Sequence, residues 1–294
     1  MDSRVELRLL RSFSVLSGEL HFGRAAQQLR IAQPALSQQI RQLERAVGVT
    51  LFERTSRSVA LTRAGSVFAA RVRDHLQRIE EDIEEARRVD RGESGRIDLA
   101  FISSAAPVVA TITRWIAGER PGVLLDLHEG TTESVLDHIE RGTADLGIVR
   151  DAENRPGITL TTVRVEGYVA VLPRGHALVE EAQATAADLA GSPLVLFPRT
   201  AGSLAYARAL QPFREMEVEP VIAFHASQWS SIFQLVAAGA GTTIAPESAA
   251  DQVPAGVAVV PLGGTDTRTL VQVAHRAHQT HPIVPTLIDL LRTE

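Results

Sequence analysis

Cysteine and lysine are both absent from the 294 residues. The first absence excludes disulfides, thiolate catalysis and cysteine-ligated metal sites. The second leaves arginine as the source of all 30 Lys+Arg positive charges. We read this as compositional bias, although a planar guanidinium does suit bidentate contacts to phosphate and guanine. Aromatic residues are scarce at 4%. No apolar run approaches the ~20 residues of a membrane span. The first residues show no charged-then-apolar leader, because Arg8 and Arg11 interrupt Val5 to Leu20. A cytoplasmic protein with no membrane partner is therefore expected. What is present is ample apolar material, 45% of the chain, over a length that suits a small domain and a larger one.

The net charge of −5 is informative only when divided. Residues 1–62 hold nine arginines against five acids, a balance of +4, so the remainder carries −9. A basic module on an acidic body fits a nucleic-acid reader attached to a part that does not itself adhere to DNA.

The most specific stretch runs from Gln33 to Gly48. Pro34 sits where the first helical position is expected, since its missing N–H and fixed φ cost nothing there. Gly48 follows the last apolar residue, where a helix stops. Between them Leu36, Ile40, Leu43 and Val47 form a narrow apolar stripe at helical spacing. Pro34, Gln38, Arg41 and Arg45 fall on the opposite face with Ser37 beside them, and Glu44 lies to the side. Amides, a hydroxyl and guanidinium groups are what a helix uses to read base edges and hold phosphates in a major groove. Taken alone, such a face also suits an ordinary solvated helix; its neighbours decide. Phe22, Ala25, Ala26 and Leu29 make a second short stripe, joined to the first by Arg30-Ile31-Ala32-Gln33. Two short helices with so tight a turn are a helix-turn-helix signature. Val5, Leu9, Phe13 and Leu16 predict a supporting helix that ends near Gly18. Thr50 to Thr62 alternates like two short strands around a polar turn and reads as a wing.

Residues 5 to 65 thus resemble the winged helix-turn-helix of LysR-type transcriptional regulators. The matching pieces are Phe22-Gly23-Arg24-Ala25-Ala26, the run from Gln33 to Glu44, Leu51-Phe52-Glu53-Arg54 and Leu61-Thr62-Arg63-Ala64-Gly65. The resemblance implies double-stranded DNA as a partner. It places Gln33, Pro34, Ser37, Gln38 and Arg41 against the DNA from the recognition helix. Arg54 and Arg57 would add wing contacts to phosphate or the minor groove.

From Thr62 to about Arg91 there is no proline and one early glycine, Gly65. Val72, Leu76, Ile79, Ile83 and Ala86 form a heptad seam, which predicts a long helix pairing with its copy in a homodimer. The acids at 80–82, 84 and 85 flank the seam as a solvated face. Asp90-Arg91-Gly92-Glu93-Ser94-Gly95 reads as a hinge. The expected domains are therefore a DNA-binding domain over 1–62, a dimerisation linker helix over 63–91 and an effector-binding domain over 92–294.

Beyond the hinge, strand-like runs at Ile97–Ile102, Val123–Leu127, Leu146–Val149, Val169–Leu172, Leu194–Phe197, Val221–Phe224, Thr242–Ala245, Val257–Val260 and Leu270–Ala274 alternate with amphipathic stretches. The latter include Val108–Ala117, Ser134–Arg141, Leu204–Arg214, Ser230–Ala238 and Pro285–Leu291. This alternation predicts open α/β architecture with mostly parallel sheets. The resemblance adds a two-lobed, periplasmic-binding-protein-like effector domain, with lobe I at about 96–166 and 269–294 and lobe II at about 167–268. Crossings between them would fall near Val165–Leu172 and Thr267–His275. It also implies a homotetramer built from two dimers, and RNA polymerase as a further partner.

In open α/β sheets ligands settle where strands end and helices begin. Three such turns carry hydroxyls: Ser103-Ser104, Thr131-Thr132 after His128-Glu129-Gly130, and Pro198 to Ser203 after Phe197. Each alone is an ordinary helix cap. In the family branch that senses aromatic-degradation intermediates, the corresponding positions bind small carboxylates. This chain is similar there in Glu129-Gly130-Thr131-Thr132 and Leu235 to Gly239, and departs after Phe197-Pro198. The expected effector is a small organic anion held by Ser103, Ser104, Thr131, Thr132, Phe197, Pro198 and Ser203, with Arg150 as its charge partner.

Other classes find little support. Gly239-Ala240-Gly241 lacks a third glycine and precedes a strand, so it reads as a tight turn. His275, His278 and His281 lie three apart but around a loop with Pro282, and are not read as a metal site. No Gly-x-Ser-x-Gly elbow or His-Glu-x-x-His pair occurs. A free-standing solute-binding protein would need an export signal. The sequence predicts no enzyme, no cofactor and no metal.

Overall fold

The computed structural model describes residues 5–54, 58–278 and 281–293. It divides into two compact units, Met1–Arg87 and Arg88–Glu294.

In the first unit, helix α1 (Leu7–Glu19) buries Leu9, Phe13 and Leu16 and ends on Leu20 in the left-handed region. Helix α2 (Phe22–Gln28) is capped by His21, whose Nδ1 accepts the Arg24 N–H at 3.2 Å. Helix α3 (Gln33–Val47) buries Leu36, Ile40 and Leu43 and stops at Gly48, whose φ of 76° only glycine adopts freely. Pro34 takes the second helical position rather than the first, where its missing N–H is still an orphan. Strands β1 (Phe52–Arg54) and β2 (Val59–Leu61) pair antiparallel as the wing. Phe13 joins these parts: its ring centroid lies 5.4 Å from Phe52 on β1 and 5.2 Å from Phe68 on the next helix.

That helix, α4, runs from Arg63 to Asp90. Its predicted seam is divided in use. Of the seam residues, Val72 and Leu76 pack into the core of the first unit beside Phe68 and Ala69, whereas Ile83 is exposed. Thr62 starts the helix by accepting the Gly65 N–H at 2.8 Å and donating to Thr50 O at 2.9 Å.

In the second unit a five-stranded sheet has the order β4-β3-β5-β13-β6. Its strands are β3 (Ser94–Ile102), β4 (Gly122–Gly130), β5 (Leu146–Arg150), β6 (Ile158–Glu166) and β13 (Thr269–Arg276). Helices α5 (Ala106–Glu119), α6 (Thr132–Arg141) and α12 (Val284–Arg292) close its core through Ile112, Ile139 and Leu287. The second sheet, β11-β7-β12-β8, comprises β7 (Tyr168–Pro173), β8 (Ala184–Thr185), β11 (Thr243–Pro246) and β12 (Val257–Gly263). A parallel pair, β9 (Leu194–Leu196) and β10 (Ile222–His225), joins it through a bridge from Leu194 to Thr242. Helices α7 (Ala186–Leu189), α8 (Ser203–Ala209), α9 (Gln211–Glu215), α10 (Trp229–Ala237) and α11 (Glu247–Ala250) complete this lobe. The chain crosses between sheets at Gly167 and again between Gly263 and Thr269.

Two expectations are corrected. The sheets are mixed rather than mostly parallel, since β13 runs antiparallel to β5 and β6, and β7 antiparallel to β11 and β12. Each crossing returns the chain in the opposite sense, which creates these antiparallel neighbours. Strand β6 was not foreseen, because its Thr-rich alternation belongs to a sheet edge rather than a buried run. The stretch from Leu204 to Arg214 forms two short helices instead of one, because Pro212 starts the second and removes a donor.

Gly65 is buried where a Cβ would lie 2.0 Å from the Leu51 carbonyl oxygen. We expect Gly65→Ala to destabilise the first unit by about 1–3 kcal/mol, as overpacking against backbone does. Chemical denaturation followed by circular dichroism checks this, with an unchanged midpoint counting against the contact.

Candidate functional site

Two sites emerge, one in each unit. In the first, Gln33, Pro34, Gln38, Arg41 and Arg45 are exposed along the face of α3 opposite its buried stripe, and Ser37 is half-buried beside them. Arg54 on the wing is exposed, and its guanidinium is engaged within the protein. Its Nη2 meets Glu44 Oε2 at 3.3 Å, its Nη1 donates to Ser37 Oγ at 3.4 Å, and its guanidinium carbon lies 4.9 Å from the Phe22 ring centre. Glu44 in turn accepts the N–H groups of Leu51 and Phe52 at 2.9 and 3.2 Å, which docks the wing on α3. Arg57 lies outside the described residues.

In the second unit a solvent-open cleft lies between the two sheets. From one lobe it is lined by Ile102, Ser103, Ser104, Gly130, Thr131, Thr132 and Arg150; from the other by Phe197, Ala201, Ala205, Ser227, Trp229 and Ile232. The structure therefore brings together Ser103, Ser104, Thr131, Thr132, Arg150 and Phe197. It leaves Pro198 and Ser203 outside this lining, and Ser203 Oγ instead donates to Glu153. The sequence reading missed Trp229, although Ser227-Gln228 before α10 is a further strand-to-helix turn of the same kind. Trp229 stacks edge-on with Phe197 at 5.9 Å and packs on Phe233 at 5.5 Å, forming an aromatic wall.

The hydroxyls differ in availability. Thr131 caps α6, accepting the Ser134 N–H, while Ser134 Oγ accepts the Thr131 N–H at 2.8 Å. Thr132 Oγ1 is held on the Arg150 backbone at 3.3 Å. Ser104 Oγ accepts from Arg150 Nε at 3.1 Å. Ser103 Oγ has the loosest engagement, a 3.5 Å contact from the Trp229 N–H.

Arg150, expected as the ligand's charge partner, lines the cleft, and its guanidinium is engaged by partners within the protein. It is 4% exposed and its Nη2 lies 2.7 Å from Glu166 Oε1. Nη1 donates to Thr269 Oγ1 and Nη2 to Ser248 Oγ, each at 3.2 Å. The Ser248 N–H donates to Glu166 Oε2 at 2.9 Å. Next to it Asp151, with φ of 43° and a fully buried side chain, accepts from Thr269 Oγ1 and the Leu270 N–H and pairs with Arg208 of α8 at 3.1 Å. Burial, reinforced by the Asp151 carboxylate, pushes the nearby Tyr168 phenol up to about 12. These groups come from separate segments with no shared periodicity, so no sequence signal pointed to them.

Residues 7–66 match the family described as "bacterial regulatory helix-turn-helix protein, lysR family", and residues 90–294 match the "LysR substrate binding domain". A DNA-reading helix-turn-helix joined to a two-lobed ligand-binding module defines a ligand-responsive regulator. The chain belongs to the LysR family of bacterial transcriptional regulators, which are not enzymes. It is 35% identical over 246 residues to the regulator AlsR of Bacillus subtilis, covering 83% of this chain and 82% of that one. It is 36% identical over 263 residues to IlvR of Caulobacter vibrioides, covering 88% of each. The fold matches full-length CbnR complexed with its target DNA at a TM-score of 0.83 and 24% identity, over 98% of this chain and 99% of that one.

Removing one member of a buried ion pair strands the other charge, at a cost of about 3–5 kcal/mol. Arg150→Met should destabilise the second unit by that amount, and the Arg150→Met/Glu166→Leu double variant should recover most of it. Urea unfolding of the three proteins checks this; a double variant as unstable as the single would contradict it.

Proposed function

We propose that the chain is a homodimeric, sequence-specific DNA-binding regulator whose affinity for its operator is set by a small organic anion bound in the cleft. Gln33, Pro34, Ser37, Gln38 and Arg41 contact the major groove from α3, with Arg57 contacting the DNA from the wing. Such a regulator works in the cytoplasm on chromosomal DNA, and pairing through the exposed seam of α4 brings two reading heads together. The homotetramer and contact with RNA polymerase belong to the same reading.

The observation that carries the effector proposal is the convergence of three helix starts on one cleft. The turns leading into α5, α6 and α10 all line it. The dipoles and remaining N–H groups at such ends, beyond the Ser134 and Trp229 N–H groups that Thr131 and Ser103 receive, favour a carboxylate, and Ser103 Oγ is the hydroxyl best placed to add to them. With the Arg150 charge balanced by Glu166, recognition rests on these dipoles. Phe197, Trp229, Ile102 and Ile232 then receive the effector's apolar body. Binding shifts the population of lobe arrangements, and differential affinity for those arrangements sets the size of the response.

Isothermal calorimetry of the purified protein against a panel of small carboxylates tests the cleft. One compound should bind, shift operator affinity in a gel-retardation assay, and lose about tenfold in affinity in Ser103→Ala, the scale of a hydrogen bond to a charged group. Unchanged binding by Ser103→Ala would place the effector elsewhere. On the DNA side, Gln38→Ala should relax preference at particular base pairs by about 1–3 kcal/mol. Identical relative affinities across operator variants would remove Gln38 from the contact face.

A further inference from the structure

Ser37 has a constrained hydrogen-bonding sense. Its Oγ receives Arg41 Nη2 at 3.2 Å and Arg54 Nη1 at 3.4 Å. A serine hydroxyl offers two lone pairs and one hydrogen. Two guanidinium donors take both lone pairs, and guanidiniums cannot accept, so the hydrogen is left to point elsewhere. Arg54 is itself held in place from three sides: by Glu44 of α3, by Ser37, and by the Phe22 ring of α2 beneath its plane. Glu44 is fixed by the two backbone N–H groups it accepts from the start of the wing. The orientation of one hydroxyl on the reading face thus depends on a chain of contacts through α3, β1 and α2.

We propose that Arg54 is a positioning residue which, with Arg41, holds Ser37 as an obligate hydrogen-bond donor to a base edge. An obligate donor accepts guanine N7 or O6, adenine N7 or thymine O4 as partners. It finds none on the cytosine edge, which presents only an amino group there. Two positive groups on the oxygen also withdraw electron density from the O–H bond and strengthen it as a donor. Arg54 on this account sharpens base preference without touching DNA, in place of the phosphate contact expected of it. The inference rests on the reading that this face of α3 enters the major groove.

The test uses the full-length protein and an operator selected from random duplex DNA. Affinities for every single-base-pair variant are measured by fluorescence anisotropy at several salt concentrations. Ser37→Ala should flatten preference at one position of each half-site by about tenfold. Arg54→Ala should flatten the same position by a similar factor and leave the salt dependence of affinity unchanged. The double variant should lose nothing further there. Arg54→Lys, which keeps the charge over Phe22 but lacks the fork needed to span Ser37 and Glu44, should behave like Arg54→Ala and guards against a variant that misfolds. A uniform loss across all sequences, with the log–log salt slope falling by about 0.9 per protomer, would make Arg54 a phosphate contact and overturn the proposal. Ser37→Ala without positional effect would overturn it as well. In that case a positional effect of Gln38→Ala would show that the α3 reading survives, and its absence that the reading falls too.

Discussion

A guanidinium and a carboxylate, both removed from water, sit where the chain passes between its two sheets. Desolvating such a pair costs several kcal/mol per ion, and the cost is offset only when the remaining donors and acceptors are satisfied. Arg150 and Glu166 meet that condition through Ser104, Ser248 and Thr269, which arrive from β3–α5, α11 and β13. Because the partners belong to both lobes, the relative placement of the lobes is part of the bond. Any rearrangement of the cleft must either carry the cluster along or leave a charge unsatisfied. One residue further on, the buried Asp151 carboxylate also pairs across the lobes, here with the partly exposed side chain of Arg208.

The cleft inherits its character from this neutralisation. Its deepest cation is already paired, so what remains for a ligand is a set of oriented backbone dipoles, one loosely engaged hydroxyl and an aromatic wall. Selectivity in such a site comes from shape and from a few directional hydrogen bonds. The DNA-reading head follows a parallel logic. Its core, centred on Phe13, fixes the helices, while Glu44 and Arg54 connect the wing to α3 and leave Gln33, Gln38 and Arg41 exposed.

Local pattern made the reading head legible. Leu36, Ile40 and Leu43 announce α3 by period, Pro34 and Gly48 mark its ends, and several spaced motifs carry the family resemblance in order. The regulatory unit was legible as alternating strands and helices, and Thr131 and Ser103 were found because they stand at strand ends. What escaped was everything that depends on tertiary meeting. Glu166 looks like any edge-strand acid until Arg150 folds against it, and Trp229 looks like a core aromatic until β10 brings it to the cleft. Likewise, Arg54 reads as a free wing cation because nothing local says that Glu44, ten residues earlier, will be within reach. The strand sense failed for the same reason: alternation reports that strands exist, but not the direction in which a twice-crossing chain returns.

The aromatic wall has an optical consequence. The chain holds two tryptophans. One indole, Trp229, lines the cleft, and the other, Trp115, lies on α5 beside the Arg120 guanidinium, 5.4 Å from its ring centre, and is not part of the lining. A molecule entering the cleft alters the surroundings of one emitter and leaves the other as an internal reference. Intrinsic fluorescence thus reports occupancy of the site directly, without a label, in a protein that has neither a thiol nor a lysine amine to attach one to.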